Sequence, residues 1–378
     1  MSEKGYLICG DVKAGFEPIR ELFDKKFQEK SEEHSQLCIY VGGEKVVDLW
    51  GTVDPDSKFD ANSLINVYSS TKSLTAIMMA MAKDKGWLDY SDKICHHWPE
   101  FGQQGKSDIT IADLMRHEAG LATFPFPLDP QDLTTANIKM NKTGEKIARM
   151  SVSFPPGKRR EYHALTRGWV ANEVFRRVHP QNLTLGEFLD KEVSTKLDAD
   201  VYIGCSRPNF FPGRYDQVVE NVLPMRELCR FENEFNVLDI MKDEFRGLEI
   251  PSANGNCSAR GLASIGAAMA HKGRHPVTGT KLMSETAWEA MHADAIKDLM
   301  WPDDINLMCA GGIASFTGSS DKLRDGYFGW YGLGGSAFQW HPQLEIGFAY
   351  TCTLLSSVST FQESSKNLGI FCRKVFFH

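Results

Sequence analysis

Two serines and a lysine open an apolar run in the stretch VYSSTKSLTAIMMAMAKDKGWL, Val67 to Leu88. Ser69 and Lys72 have the spacing that puts two side chains on one face of a helix, with Cβ atoms roughly 5–6 Å apart. A lysine held against Leu74 and Met78 loses its charge more readily than a solvated one, because burial disfavours the charged form. A neutral amine there can take the hydroxyl proton of Ser69 and activate an otherwise weak nucleophile. The amino end of the same helix also points N–H groups at any oxyanion that forms nearby. One short segment could supply a nucleophile, a base and part of an oxyanion hole.

The ordinary reading of these residues is structural. Serine ahead of an apolar helix is a common N-cap, and a lysine can carry its charge to solvent along its stem. Ser-x-x-Lys is also a weak pattern by itself. Ser319-Ser320-Asp321-Lys322 repeats it in a polar stretch with no helical period behind it, and is set aside.

The elements that must position Ser69 and Lys72 are legible on both sides. Phe16, Ile19, Leu22, Phe23 and Phe27 recur at helical spacing and predict an amphipathic first helix. QLCIYV and KVVDLWG around Gly42-Gly43-Glu44 read as a β-hairpin. The helix with the serines and lysine follows, from Val67 to about Lys85. GGSAFQW and EIGFAYTCTLL flank HPQ as a second hairpin, and a last helix is expected from about Thr360 to Phe376. Strands at both ends with helices between them predict one antiparallel sheet made from both termini, with helical structure inserted.

Composition narrows the function. A chain of 378 residues with 42% hydrophobic content can bury a large core. Lys+Arg at 42 against Asp+Glu at 49 gives −7, which offers no electrostatic footprint for nucleic acid. Lys158, Arg159 and Arg160 read as a solvated turn. The amino terminus has no apolar signal core. The longest apolar helical run, Leu74 to Ala82, is far short of the ~18 residues of a membrane span. Nine cysteines without a CxxC pair read as reduced thiols, which makes the cytoplasm the expected compartment. His96 and His97 stand without further ligands at metal spacing, so neither a metal nor a cofactor is expected. Nothing specifies an oligomeric state.

Four segments in order carry a more specific signal. YSSTKS with AKDKGWLDYSDKI resembles the first motif of the serine β-lactamase-like family. That family includes class C β-lactamases, penicillin-binding proteins, family VIII carboxylesterases and eukaryotic β-lactamase-like proteins. ITIADLMRHEAGL, Ile109 to Leu121, resembles its LLTHTSGL segment. FPPGKRREYHALTRGWVANEVFRRV, Phe154 to Val178, resembles the stretch with its second motif, Tyr-x-Asn. GWYGLGGSAFQWHP, Gly329 to Pro342, falls where the third motif, Lys/His-x-Gly, opens a strand. The resemblance runs from about Gly15 to the carboxyl end. It implies an α+β, β-lactamase/transpeptidase-like fold in a single domain. An α/β lobe would comprise about 1–66 plus about 300–378, and a mainly helical lobe about 67–299.

The resemblance also assigns residues. Tyr162 takes the place of the second-motif tyrosine, which shares a proton with the lysine. Trp330, Gly332 and Leu333 fall at the third motif, with Gly332 at a strand edge a substrate must approach closely. The N–H of Leu333 becomes the second oxyanion donor beside that of Ser69. His117 supports a loop in the family, and neither it nor Glu118 joins the catalytic set. Two positions depart from the pattern. Ala164 replaces the asparagine that bonds an acylamino group, and Trp330 replaces the cation that holds a substrate carboxylate. An unpartnered carboxylate is costly to bury, so uncharged acyl esters become the expected substrates and β-lactams poor ones. Trp330 would offer an apolar wall, and Trp330→Lys would favour carboxylate-bearing substrates. Arg324 or Lys322 could restore a charge, and the loop from Cys205 to Ile250 would form part of the pocket rim. The leading expectation is a serine hydrolase working through an acyl-enzyme. A peptidase or amidase, and a non-catalytic scaffold, are the alternatives.

Overall fold

The computed structural model describes residues 5–122, 129–204, 210–211, 214–215, 243–298, 300, 307–319 and 324–355. The elements that matter for the site are, in chain order, β1 (Leu7–Val12), α1 (Glu17–Gln28), β2 (His34–Val41), β3 (Glu44–Thr52), β4 (Leu64–Asn66) and α2 (Thr71–Asp84). They continue with α3 (Thr166–Val178), β5 (Val201–Ile203), β6 (Gly255–Cys257) and α4 (Ala259–Ala270). The last are β7 (Ile296–Lys297), β8 (Leu307–Met308), β9 (Ala314–Ser315), β10 (Phe328–Tyr331), β11 (Ala337–His341) and β12 (Ile346–Cys352).

Nine strands form one sheet in the order β1-β3-β2-β12-β11-β10-β9-β8-β7. Every pairing in it is antiparallel. Gly42 and Gly43 hold the two-residue turn between β2 and β3 at φ 55° and 83°, a conformation that suits a tight hairpin. At the centre, β2 pairs with β12, Ile39 opposite Phe348, so strands from opposite ends of the chain lie side by side. The expected joint sheet is present. The α+β arrangement expected for the chain is present.

Alternation along the central strands decides which helix covers which face. Leu37, Ile39, Phe348 and Tyr350 point to the side where Ile19, Phe23 and Phe27 of α1 are buried. Phe27 packs so tightly over β3 that a Cβ on Gly51 would meet its Cζ at 2.6 Å. Cys38 and Ala349 point the other way, toward Leu262 and Ala263 of α4. Small residues let α4 approach the sheet; a Cβ on Gly347 would fall 2.3 Å from the Ala267 nitrogen. The last helix expected from about Thr360, with Phe371, lies outside the described residues.

From Thr71 to Ala82 every residue of α2 is buried, so this helix is packed on all sides. It leaves a second, small sheet in which β4 and β5 flank β6, with Phe210–Phe211 beside β4. Among the described residues no helix is long and apolar enough to cross a membrane.

Candidate active site

The turn into α2 is set by β4 and the segment before β6. Tyr68 has φ 43°, a left-handed conformation uncommon for a bulky residue. Its N–H donates to Asn66 Oδ1 at 2.8 Å, and Asn66 Nδ2 donates to Asn254 Oδ1 at 2.9 Å. Tyr68–Ser70 is a 3₁₀ turn that runs directly into α2. Neither serine hydroxyl caps the helix. Ser70 is fully buried, 3.1 Å from Ser336 Oγ, which in turn donates to the Val67 carbonyl at 2.7 Å. Ser69 is half-buried and faces elsewhere.

Ser69, Lys72 and Tyr162 converge. Tyr162 Oη lies 2.7 Å from Ser69 Oγ, and Lys72 Nζ lies 3.2 Å from it. Lys72 is fully buried, and its Nζ also donates to the carbonyls of Ala164 at 2.7 Å and Ser252 at 3.0 Å. Three oxygens can therefore accept the three protons of a charged amine. Nζ stands 4.8 Å from the centre of the Tyr162 ring. The Ser252 carbonyl reaches it because Gly168 on α3 lets the chain pass close by; a Cβ there would meet the Ser252 nitrogen at 2.5 Å.

Gly332 and Leu333 follow directly on β10. Gly332 donates its N–H to the Ser336 carbonyl at 2.8 Å, and a Cβ on it would fall 2.2 Å from the Val67 carbonyl oxygen. Leu333 opens the short 3₁₀ turn to Gly335 and is half-buried. Trp330 is fully buried and stacked on Tyr162, with ring centroids 6.1 Å apart and planes 11° apart. In this structure it offers no open wall to a substrate. It backs Tyr162 instead.

Behind these rings sits a polar layer. His117 Nδ1 accepts the His163 N–H at 2.9 Å, and the His117 carbonyl accepts that of Glu161 at 3.1 Å, which pins the backbone on both sides of Tyr162. Burial holds His117 well below the usual imidazole range, with Arg167 reinforcing the effect. Burial likewise pushes His163 down to about 4. Glu118 accepts from Arg160 at 2.6 Å and from Arg116 at 3.0 Å. Arg160 is thus a buried ion-pair partner, a correction to the solvated turn expected at 158–160; the Glu118 carboxylate draws it inward.

Residue-type reasoning missed several positions. The carbonyls of Ala164 and Ser252 have no sequence signature, and Ser336 reads as one more serine in a glycine-rich turn. Arg167 is the main omission. It lies on the buried side of α3, donating to the carbonyls of Lys72 at 2.8 Å, Gly312 at 3.0 Å and Met115 at 3.2 Å. Arg324, by contrast, covers Phe316 and Tyr331, at 4.0 and 5.3 Å from their ring centres. Lys322 and most of the 205–250 loop lie outside the described residues. Among those described, no group of His, Cys, Asp and Glu side chains could hold a metal ion.

A hydroxyl, an amine and a phenol meeting at the amino end of a buried helix, beside an antiparallel sheet, are the features of a serine hydrolase built on the β-lactamase/transpeptidase fold. The sequence agrees: residues 19–368 match the family model described as Beta-lactamase, and the chain belongs to that family. It is 27% identical to an Esterase/beta-lactamase LipL of Mycobacterium tuberculosis over 98% of this chain and 88% of that protein. A family VIII carboxylesterase structure superposes with TM-score 0.82 at 25% identity, over 98% of this chain and 100% of that one. A penicillin-binding protein homolog from Caulobacter crescentus does so with TM-score 0.78 at 27% identity, over 97% and 98%.

Proposed function

We propose that this serine hydrolase cleaves uncharged acyl esters through an acyl-enzyme on Ser69. The observation that carries the reading is the convergence of Tyr162 Oη and Lys72 Nζ on one hydroxyl oxygen. Ser69 Oγ attacks the ester carbonyl carbon as its proton passes to a deprotonated Tyr162. The three acceptors around Lys72 suit an ammonium, so Lys72 is read as the charge that favours the phenolate, and Tyr162 as the first base. The two titrate as a coupled pair. Tyr162 then hands the proton to the departing alkoxide. A water, deprotonated by the same route, releases the acyl group and restores Ser69. The N–H groups of Ser69 and Leu333 are the proposed oxyanion donors.

Preference for an ester without a carboxylate follows from the two departures. Ala164 has no side-chain amide for an acylamino group, and its carbonyl is engaged by Lys72. Trp330 has no charge. The likeness to a family VIII carboxylesterase adds support. Likeness to a penicillin-binding protein homolog makes an amide or peptide the second reading. Amides differ in needing stronger protonation of the leaving group.

A fluorophosphonate probe tests the reading without knowledge of the substrate. Labelling of the wild type, lost in Ser69→Ala, is expected, with hydrolysis of p-nitrophenyl acetate or butyrate lost in parallel. An unlabelled, inert wild type would favour a non-catalytic scaffold.

A further inference from the structure

The family's third-motif cation is missing at Trp330, yet a buried cation stands directly against that indole. Arg167 Cζ lies 5.5 Å from the centre of the Trp330 ring, on a guanidinium that is fully buried. Trp330 in turn stacks on Tyr162. Arg167 Nη1 also lies 3.4 Å from His117 Nε2, and the His117 ring centre is 5.1 Å from that of Tyr162. Two aromatic bridges therefore separate Arg167 from Tyr162. Among the described residues no carboxylate pairs with Arg167; its acceptors are backbone carbonyls.

A buried charge that no acid neutralises is expensive to keep. Its field is also poorly screened in the interior, so neighbours feel it more strongly than they would at a surface. The other titratable and charged groups around Tyr162 are few. Lys72 approaches from α2. His117 and His163 are held neutral by burial at ordinary pH. Arg160 is matched by Glu118.

We propose that Arg167 is a second cation, beside Lys72, that acts from behind the pocket and favours the phenolate of Tyr162 through the Trp330 and His117 layer. It is a positioning residue: it touches neither substrate nor the reacting oxygen. This inference rests on Tyr162 acting as the base in the function proposed above. Burial pushes Arg167 down to about 9, and negative charge on Tyr162 pushes it back up, so each group supports the other's charged form. The arrangement places charge where it acts on Tyr162 while leaving the substrate side uncharged, which fits an ester without a carboxylate.

The test is the pH dependence of kcat/KM for p-nitrophenyl butyrate, with the rate of fluorophosphonate labelling read in parallel. Arg167→Gln keeps hydrogen-bond donors and loses the charge; Arg167→Lys keeps the charge and loses the fork. Removing a cation raises the pKa of Tyr162, so the acidic limb of Arg167→Gln is expected to move up by roughly one unit. Activity should recover toward the wild-type plateau at higher pH, and Arg167→Lys should keep a limb close to wild type. If Arg167→Gln does not fold, Arg167→Met fills the same space without a buried polar group and decides in its place. Equal losses at every pH in the Gln and Lys variants, with an unmoved limb, would overturn the proposal and leave a packing role. A wild type that is unlabelled, or turnover that survives Ser69→Ala, overturns the underlying reading instead and is visible before any Arg167 variant is made.

Discussion

Tyr162 Oη and Ser69 Oγ stand 2.7 Å apart although the residues are separated by 93 positions in the chain. The contact exists because three elements hold its two ends. The left-handed turn at Tyr68 presents Ser69, His117 brackets Tyr162 through its Nδ1 and its carbonyl, and Trp330 closes the far side of the phenol ring.

If this contact carries the proton, its members act as one unit. Ser69→Ala should abolish ester turnover. Tyr162→Phe should lower kcat by roughly 10²–10⁴-fold, the range typical of a lost general base. Lys72→Ala should cost several orders of magnitude, and the double variant Lys72→Ala/Tyr162→Phe little more than the worse single one. Additive losses in steady-state kinetics would show that the groups act separately.

Substrate choice should follow the missing cation. Short-chain p-nitrophenyl esters are expected to be hydrolysed and penicillins to be poor substrates. Trp330→Lys was expected from sequence to favour carboxylates. The buried position argues against that, since a lysine there would stand against Arg167. The variant should lower Tm and leave penicillin turnover unchanged. A gain in penicillin hydrolysis would sink this reading.

Gly332→Ala tests the close approach between the residue after β10 and the turn that leads into Ser69. Its Cβ would meet Val67 O at 2.2 Å and Ser336 Oγ at 2.4 Å. Backbone must give way, at a cost of roughly 1–3 kcal/mol. The expected result is a lower Tm together with slower fluorophosphonate labelling, because the displaced segment carries Ser69. Normal stability and labelling would refute the packing argument.

Two buried imidazoles should make the fold acid-sensitive. Burial pushes both His163 and His292 down to about 4. The unfolded chain binds protons at these sites near the ordinary imidazole value, so it gains protons first as pH falls. The stability they confer is complete above about 6.5 and is lost progressively toward 4, at about 3 kcal/mol for each site. Urea melts at pH 7, 5.5 and 4.5 should show falling midpoints. A flat response over that range would remove both histidines from the account.

The sequence revealed what has periodicity or motif order. The first helix, the two hairpins, the helix after Ser69 and the joining of terminal strands all came from spacing. Strands such as Ile296–Lys297 and Ala314–Ser315 are too short for alternation to register. β1 went unread because Gly10, at φ 100°, interrupts a short apolar stretch. In the site, side-chain chemistry was readable and backbone chemistry was not. Lys72 could be named, but the Ala164 and Ser252 carbonyls that hold it could not. Arg167 was hidden for another reason: in TRGWVANEVFRRV it looks like one more charge on a helix surface, and only packing shows which face it occupies.

The pairing of β2 with β12 also sets a timetable. β2 leaves the ribosome with one side unmatched, and its partner is synthesised about 300 residues later. At ~5–20 residues/s, that interval lasts roughly 15–60 s. Through that time a nascent chain exposes a hydrophobic strand edge of the kind that recruits other chains. The newborn polypeptide is most vulnerable to sticking before β12 has been translated, and a premature stop upstream of Ile346 would leave that edge permanently open.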